Sequence, residues 1–174
     1  MHRWIAAALA AAALSGCELE PPSVGGEDGR RQGARVVRAV DGDTIDVKTG
    51  SREETVRLIG IDTPETVRPG VSVECGGREA SEAMGQMARA GDRLRLISDP
   101  TQDDEDRYGR LLRYVEEDGE DLGEAQVRAG HAEVYVYGDN PFERVGRYRT
   151  AARSAESGGA GVWGACGGDF HGGS

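Results

Sequence analysis

Five side chains in this sequence could do chemistry together: Asp43 in DGDT, Arg57 in VRL, Asp62 and Glu65 in IDTPET, and Arg110 in RYGR. DGDT puts Asp43 at a tight turn, with Asp41 two residues before it. Asp62 ends an apolar run, and Pro64 fixes the next backbone angle, so Asp62 and Glu65 can lie around one concavity. Carboxylates held close repel one another and must protonate or bind a cation. Oxygen-only ligands select a hard ion, calcium or magnesium, and the backbone carbonyl of Thr63 could complete part of the shell. Guanidinium forks match phosphate oxygens in pairs, which gives Arg57 and Arg110 a natural partner. A water-handling acid, a hard metal and two arginines form a coherent set for phosphodiester hydrolysis. Ordinary readings stand beside this one. DGD and DTP are common turn material, Arg57 could pair with Glu53 or Glu65, and Arg107 and Arg110 could balance the run DDED.

The elements that would carry these groups are mostly strands. ARVVRAVDGDTIDVKTG reads as two strands broken at DGD, and EETVRLIGID as a third, with Val56, Leu58 and Gly60 on one side and Arg57 and Ile59 on the other. Residues 67–78 read as a loop. Residues 79–90 read as a helix, with Ala83, Met84 and Met87 inward and Gly91 as its stop. DRLRLISD and RLLRYVEEDG read as two more strands around an acidic loop. Helices are expected over 121–129 and 142–157. A curled sheet of about five antiparallel strands with three helices fits this order, and a five-stranded barrel would carry its site on the rim.

The chain has 174 residues, which suits one domain. Its formal charge of -10 repels nucleic acid at long range, which counts against a stoichiometric binder and less against an enzyme with a local site. The apolar run IAAALAAAAL is too short to span a bilayer and ends in LSGC at residues 14–17, similar to a bacterial lipoprotein signal. The expected organisation is a signal peptide over 1–16, a tether over 17–33 beginning at a lipidated Cys17, a barrel domain over 34–166, and a flexible tail over 167–174. Order in that glycine-rich end is expected only around Val162, Trp163 and Cys166. The chain is then anchored to a bacterial membrane by lipid, facing the periplasm or the exterior. Outside the cytoplasm the remaining pair, Cys75 and Cys166, is most simply a disulfide, with two free thiols as the alternative. The three histidines show no zinc-site spacing.

VVRAVDGDTIDV, VRLIGIDTPET, DRYGRLL and AEVYVY, in this order, resemble the staphylococcal nuclease (thermonuclease) family, from about Ala34 to Cys166. The resemblance implies a mainly β fold with α: a five-stranded OB-like barrel with three helices. It implies calcium-dependent hydrolysis of DNA and RNA, leaving 5′-hydroxyl and 3′-phosphate ends. It assigns Asp43, Asp62 and the Thr63 carbonyl to the metal and Asp41 to its outer shell. Glu65 would activate or position water, and Arg57 and Arg110 would hold phosphate. Tyr108, Tyr135 and Tyr137 resemble substrate-side rings, with packing as the alternative for Tyr135 and Tyr137. The Cys75–Cys166 pair resembles one in exported relatives. Two departures stand out. Gly123 replaces an asparagine usual after the DG turn, so a hydrogen bond from that helix to the core is expected to be missing. Glu133 and the run Asp103 to Asp106 make the approach acidic, so substrate should bind more weakly.

The partners expected are DNA or RNA, preferably single-stranded, with little sequence preference because phosphate contacts carry no base code. The chain itself is expected to be a monomer. The rival expectation is a barrel that binds nucleic acid or another anion without turnover.

Overall fold

The computed structural model describes residues 30–66 and 73–172. The signal peptide, Cys17 and nearly all of the expected tether lie outside the described residues, as does part of the 67–78 loop.

Alternating apolar and polar residues build the first three strands. In β1 (Arg31–Ala39), Ala34 and Val36 point inward; in β2 (Thr44–Thr49), Ile45 and Val47 do; in β3 (Arg52–Leu58), Val56 and Leu58 do. β1 starts at Arg31, three residues before the boundary expected from composition. Arg31 to Arg35 are held because they pair with Ile97 to Arg93 of β5 (Arg93–Ile97). β5 in turn pairs with β6 (Leu111–Glu117), and β6 pairs with β3 in parallel. The order β3–β2–β1–β5–β6, closed by β3–β6, is a five-stranded barrel, and closure satisfies both edges. Two-residue strands add to it: β4 (Ile61–Asp62) pairs with β8 (Glu133–Val134), and β7 (Glu120–Asp121) extends β6.

Helices cap the barrel. α1 (Gly77–Met87) begins and ends earlier than its apolar period suggested; Ala80 and Met84 are buried, while Ala83 and Met87 are half-buried. α2 (Leu122–Arg128) is capped by Asp121, whose carboxylate accepts from the Glu124 amide at 3.2 Å. α3 (Val145–Gly158) starts after Phe142 rather than at it. Phe142 instead joins Tyr114 and Tyr148 in an aromatic trio with centroids 5.2 to 6.4 Å apart. A short α4 (Val162–Ala165) follows.

Two sequence expectations are corrected here. The α2 helix does reach the core, through Gln126 rather than the position of Gly123: its side-chain amide donates to the carbonyls of Gly42 (2.7 Å) and Ala80 (2.9 Å). Gly123 is small for its own reason, since a Cβ there would stand 2.7 Å from the Tyr148 hydroxyl. Residues 167–172 are not a loose tail either. Phe170 is 3% exposed, edge-on to Trp163 at 5.2 Å, because burying two aromatic faces outweighs the freedom of the glycines around them. Cys166, the residue before that segment, is bonded to Cys75, as the pairing anticipated.

Candidate active site

The β1–β2 turn presents Asp43 with almost no freedom. Val40 donates its amide to the Thr44 carbonyl, and the Asp43 amide donates to Asp41 Oδ1 at 3.1 Å. Gly42 has no room for a side chain: a Cβ would lie 2.8 Å from the Ala80 Cβ and 2.9 Å from Thr63. The Asp43 carboxylate is thereby set against β4. Its Oδ2 accepts from the Thr63 amide (3.1 Å) and hydroxyl (3.0 Å), and its Oδ1 from the Thr44 hydroxyl (2.9 Å).

Arg57 ties the acids together. Its Nη1 lies 3.1 Å from Asp43 Oδ2 and its Nη2 2.8 Å from Asp62 Oδ1, while Nη1 also donates to the Ile61 carbonyl at 2.8 Å. One guanidinium thus spans the two candidate ligands, with only 14% of its side chain exposed. Of the ordinary readings, pairing with Glu53 or Glu65 gives way to pairing with Asp43 and Asp62.

The acids are short of counter-charge even so. Asp41 is pushed up to about 6, chiefly by burial and then by the charge of Asp43. Asp62 is also raised, by burial first; the nearby Arg57 opposes this and Asp43 adds to it. Carboxylates in this state, with a backbone carbonyl beside them, fit a hard cation.

Glu65 follows Thr63 and Pro64 around the same corner. Its amide donates to Glu74 Oε2 at 2.7 Å, the Glu74 amide donates to its carbonyl at 3.0 Å, and its Oε1 accepts from the Thr66 amide at 3.0 Å. Glu74, next to the disulfide, therefore sets the backbone of Glu65.

Arg110 arrives from the neighbouring strand. β6 runs parallel to β3 with Leu112 beside Arg57, so Arg110, two residues earlier, enters on the side of the barrel where Arg57 stands. Its Nε and Nη2 contact Asp106 Oδ2 at 2.7 and 2.6 Å, and the Asp106 Oδ1 accepts the backbone amides of Tyr108 and Arg110. The balancing of DDED is thus real at Asp106, and Arg113 does the same for Asp104 at 2.7 Å. The guanidinium carbons of Arg107 and Arg110 lie 4.7 and 5.4 Å from the Tyr108 ring. Tyr108, Tyr135 and Tyr137 are 68%, 44% and 70% exposed, so none is a core residue.

The sequence resembles a known set, and the comparisons agree. The profile described as "Staphylococcal nuclease homologue" matches residues 55–165. The chain belongs to the staphylococcal nuclease family. It is 38% identical over 127 residues to Endonuclease YncB of Bacillus subtilis (strain 168), covering 72% of this chain and 59% of that protein. It is 39% identical over 127 residues to the SPbeta prophage-derived endonuclease YokF of the same organism, covering 72% and 42%. It is 33% identical over 141 residues to the Thermonuclease of Staphylococcus hyicus, covering 81% of each. The matched stretch is thus less than two thirds of either Bacillus protein.

Sequence reasoning missed His171 and Glu74 on this face of the nuclease-family barrel, and read Glu133 only as part of an acidic approach. His171 places Nε2 3.0 Å from Glu133 Oε1 and 3.6 Å from Asp62 Oδ2, with Nδ1 3.4 Å from Glu74 Oε2. Burial alone would lower the imidazole pKa, but the hydrogen bond that the ring donates to Glu133 and the charge of Asp62 raise it. No spacing in the sequence flags His171 or Glu74. The usable signal was Cys166, since its bond to Cys75 returns the end of the chain to Glu74.

Proposed function

We propose that this chain is a calcium-dependent nuclease that hydrolyses phosphodiester bonds in DNA and RNA, single strands first, with little sequence preference. The observation that carries this is Arg57 bridging Asp43 and Asp62, with Thr63 bonded to the same Asp43 oxygen. Asp43, Asp62 and the Thr63 carbonyl would hold the cation, with Asp41 behind them. When bound, such an ion offsets the charge of these acids and of the phosphate.

The chain's own groups supply the rest. The Arg57 and Arg110 forks bind phosphate oxygens and favour the extra negative charge of the five-coordinate transition state. Glu65 accepts the proton of the attacking water. Water oxygen bonds to phosphorus as the bond to the 5′ oxygen breaks, and that oxygen takes up a proton from solvent, leaving a 5′-hydroxyl and a 3′-phosphate. The exposed rings of Tyr108, Tyr135 and Tyr137 offer stacking surfaces for bases, which suits unpaired strands. The ion pairs at Asp104 and Asp106 reduce the repulsion that the net charge implies.

The test is release of acid-soluble nucleotides from denatured DNA, with calcium and with chelator. Calcium-dependent release is expected, with Arg57→Ala and Glu65→Ala each slowing it by about 100-fold or more. Release no faster than from the Arg57→Ala, Glu65→Ala double variant would leave only a barrel that binds anions. The same reading takes the chain as a monomer held to a bacterial membrane through lipid on Cys17. Fatty-acid labelling of the wild type but not of Cys17→Ser is the expected result. Among the described residues no helix is long and apolar enough to cross a membrane.

A further inference from the structure

We propose that His171, Glu133 and Asp62 form a second metal site, for a zinc-class divalent ion. Their ligand atoms lie within 4.8 Å of one another. Bonds of about 2.0–2.2 Å to nitrogen and oxygen at tetrahedral angles put ligand atoms about 3.3 Å apart. Nε2 of His171 lies 3.0 Å from Glu133 Oε1 and 3.6 Å from Asp62 Oδ2, on either side of that separation.

The imidazole is also held as a metal-binding histidine is held. Its Nδ1 faces Glu74 Oε2 at 3.4 Å, and a carboxylate on that nitrogen leaves Nε2 as the ligating atom. Glu74 is itself 9% exposed and fixed by the Glu65 amide. The ring is brought there by the chain before it: Phe170 is buried, and Asp169 Oδ1 accepts the His171 amide at 3.2 Å. The three ligand side chains remain 32 to 47% exposed, so an ion has access and a fourth position can hold water.

Ligand type separates this site from the all-oxygen set. Imidazole with two carboxylates suits zinc, cobalt or manganese better than calcium. The two oxygens of Asp62 serve different neighbours, Oδ1 Arg57 and Oδ2 His171. The inference goes beyond the nuclease reading and does not rest on it, because it is tested by metal binding with no nucleic acid present.

The full chain is titrated with Co2+ at mildly alkaline pH, where imidazole is neutral. Saturation at one equivalent, with a visible ligand-field band that Zn2+ abolishes, is expected. His171→Ala and Glu133→Gln, which sit in separate segments, should each weaken Co2+ binding by more than about 10-fold. Thermal unfolding of both variants checks that they fold, and Glu133→Gln decides the matter if His171→Ala does not. Equal Co2+ affinity in wild type and a folded variant would reduce His171 to an ion-pairing strap and overturn the site. So would displacement of Co2+ by an equimolar amount of calcium.

Discussion

The Cys75–Cys166 bond offers the cleanest quantitative test of how this fold is held. It joins residues 91 apart, so the loop it closes runs from α1 through β5, β6, α2 and α3 to α4, while β1 to β4 lie before it. The chain-entropy relation for a loop of that size gives about 4.6 kcal/mol at room temperature, acting on the unfolded chain. Spread over a domain of this size, that corresponds to a fall of roughly 10–18 °C in Tm. The perturbation is the Cys75→Ala, Cys166→Ala double variant, compared with wild type in urea unfolding. The midpoint should fall and the urea slope should rise, because an unlinked chain exposes more surface when unfolded. A second consequence is local. Glu74 precedes Cys75 and fixes the Glu65 amide, so loss of the bond should lower hydrolysis even well below the new Tm. A stability loss under about 1 kcal/mol with an unchanged slope would refute the reasoning, since it would mean that the linked chain gains little order before folding.

Three other outcomes follow from Asp41, Asp99 and Gly123. Asp41 is held near 6 in the folded chain, so the fold binds extra protons there, and in the absence of divalent ion stability declines as pH rises from about 4 to 6; Asp41→Asn should remove that decline in pH-dependent melts. Asp99 behaves oppositely. Burial would raise its pKa, but hydrogen bonds from the Tyr114 hydroxyl and the amides of Thr101 and Glu143 hold it below the usual range. Its contribution is therefore full above about pH 4 and lost as pH falls through the depressed value. Asp99→Asn should cost about 1–3 kcal/mol in urea melts at neutral pH, and less in acid. Gly123→Ala adds a Cβ 2.7 Å from the fully buried Tyr148 hydroxyl, an overpacking cost of about 1–3 kcal/mol that should outweigh the roughly 1 kcal/mol gained in helix propensity. A higher Tm for this variant would contradict the packing described around Tyr148.

The strands were legible because one face of each is dry. Val56 and Leu58, or Ile45 and Val47, recur at period two because the barrel interior accepts nothing polar there. The closure was not legible in that way. The parallel pairing of β3 with β6 joins segments more than fifty residues apart, and alternation within either strand carries no trace of its partner. The start of α1 at Gly77 was hidden for a different reason: CGGR has no apolar period, and its turn is fixed by the Glu74 carbonyl and the disulfide.

The site shows the same division between what a motif carries and what only packing decides. DGDT, VRL and IDTPET named Asp43, Arg57 and Asp62, and these three meet within hydrogen-bonding distance. What they do not carry is the charge state of the rim. Counted along the chain, Asp103 to Asp106 form an acidic run in front of RYGR, yet Asp104 and Asp106 are spent on Arg113 and Arg110. The excess charge lies instead where Asp43 and Asp62 share a single guanidinium with Asp41 beside Asp43, in partial burial that raises the pKa values of Asp41 and Asp62. A net charge of -10 thus says little about the field a phosphate meets at this rim. That field depends on how many of these acids are already matched before the substrate arrives. A cation held there should therefore strengthen phosphate binding more than any single added lysine on the outer surface, where water and salt screen it.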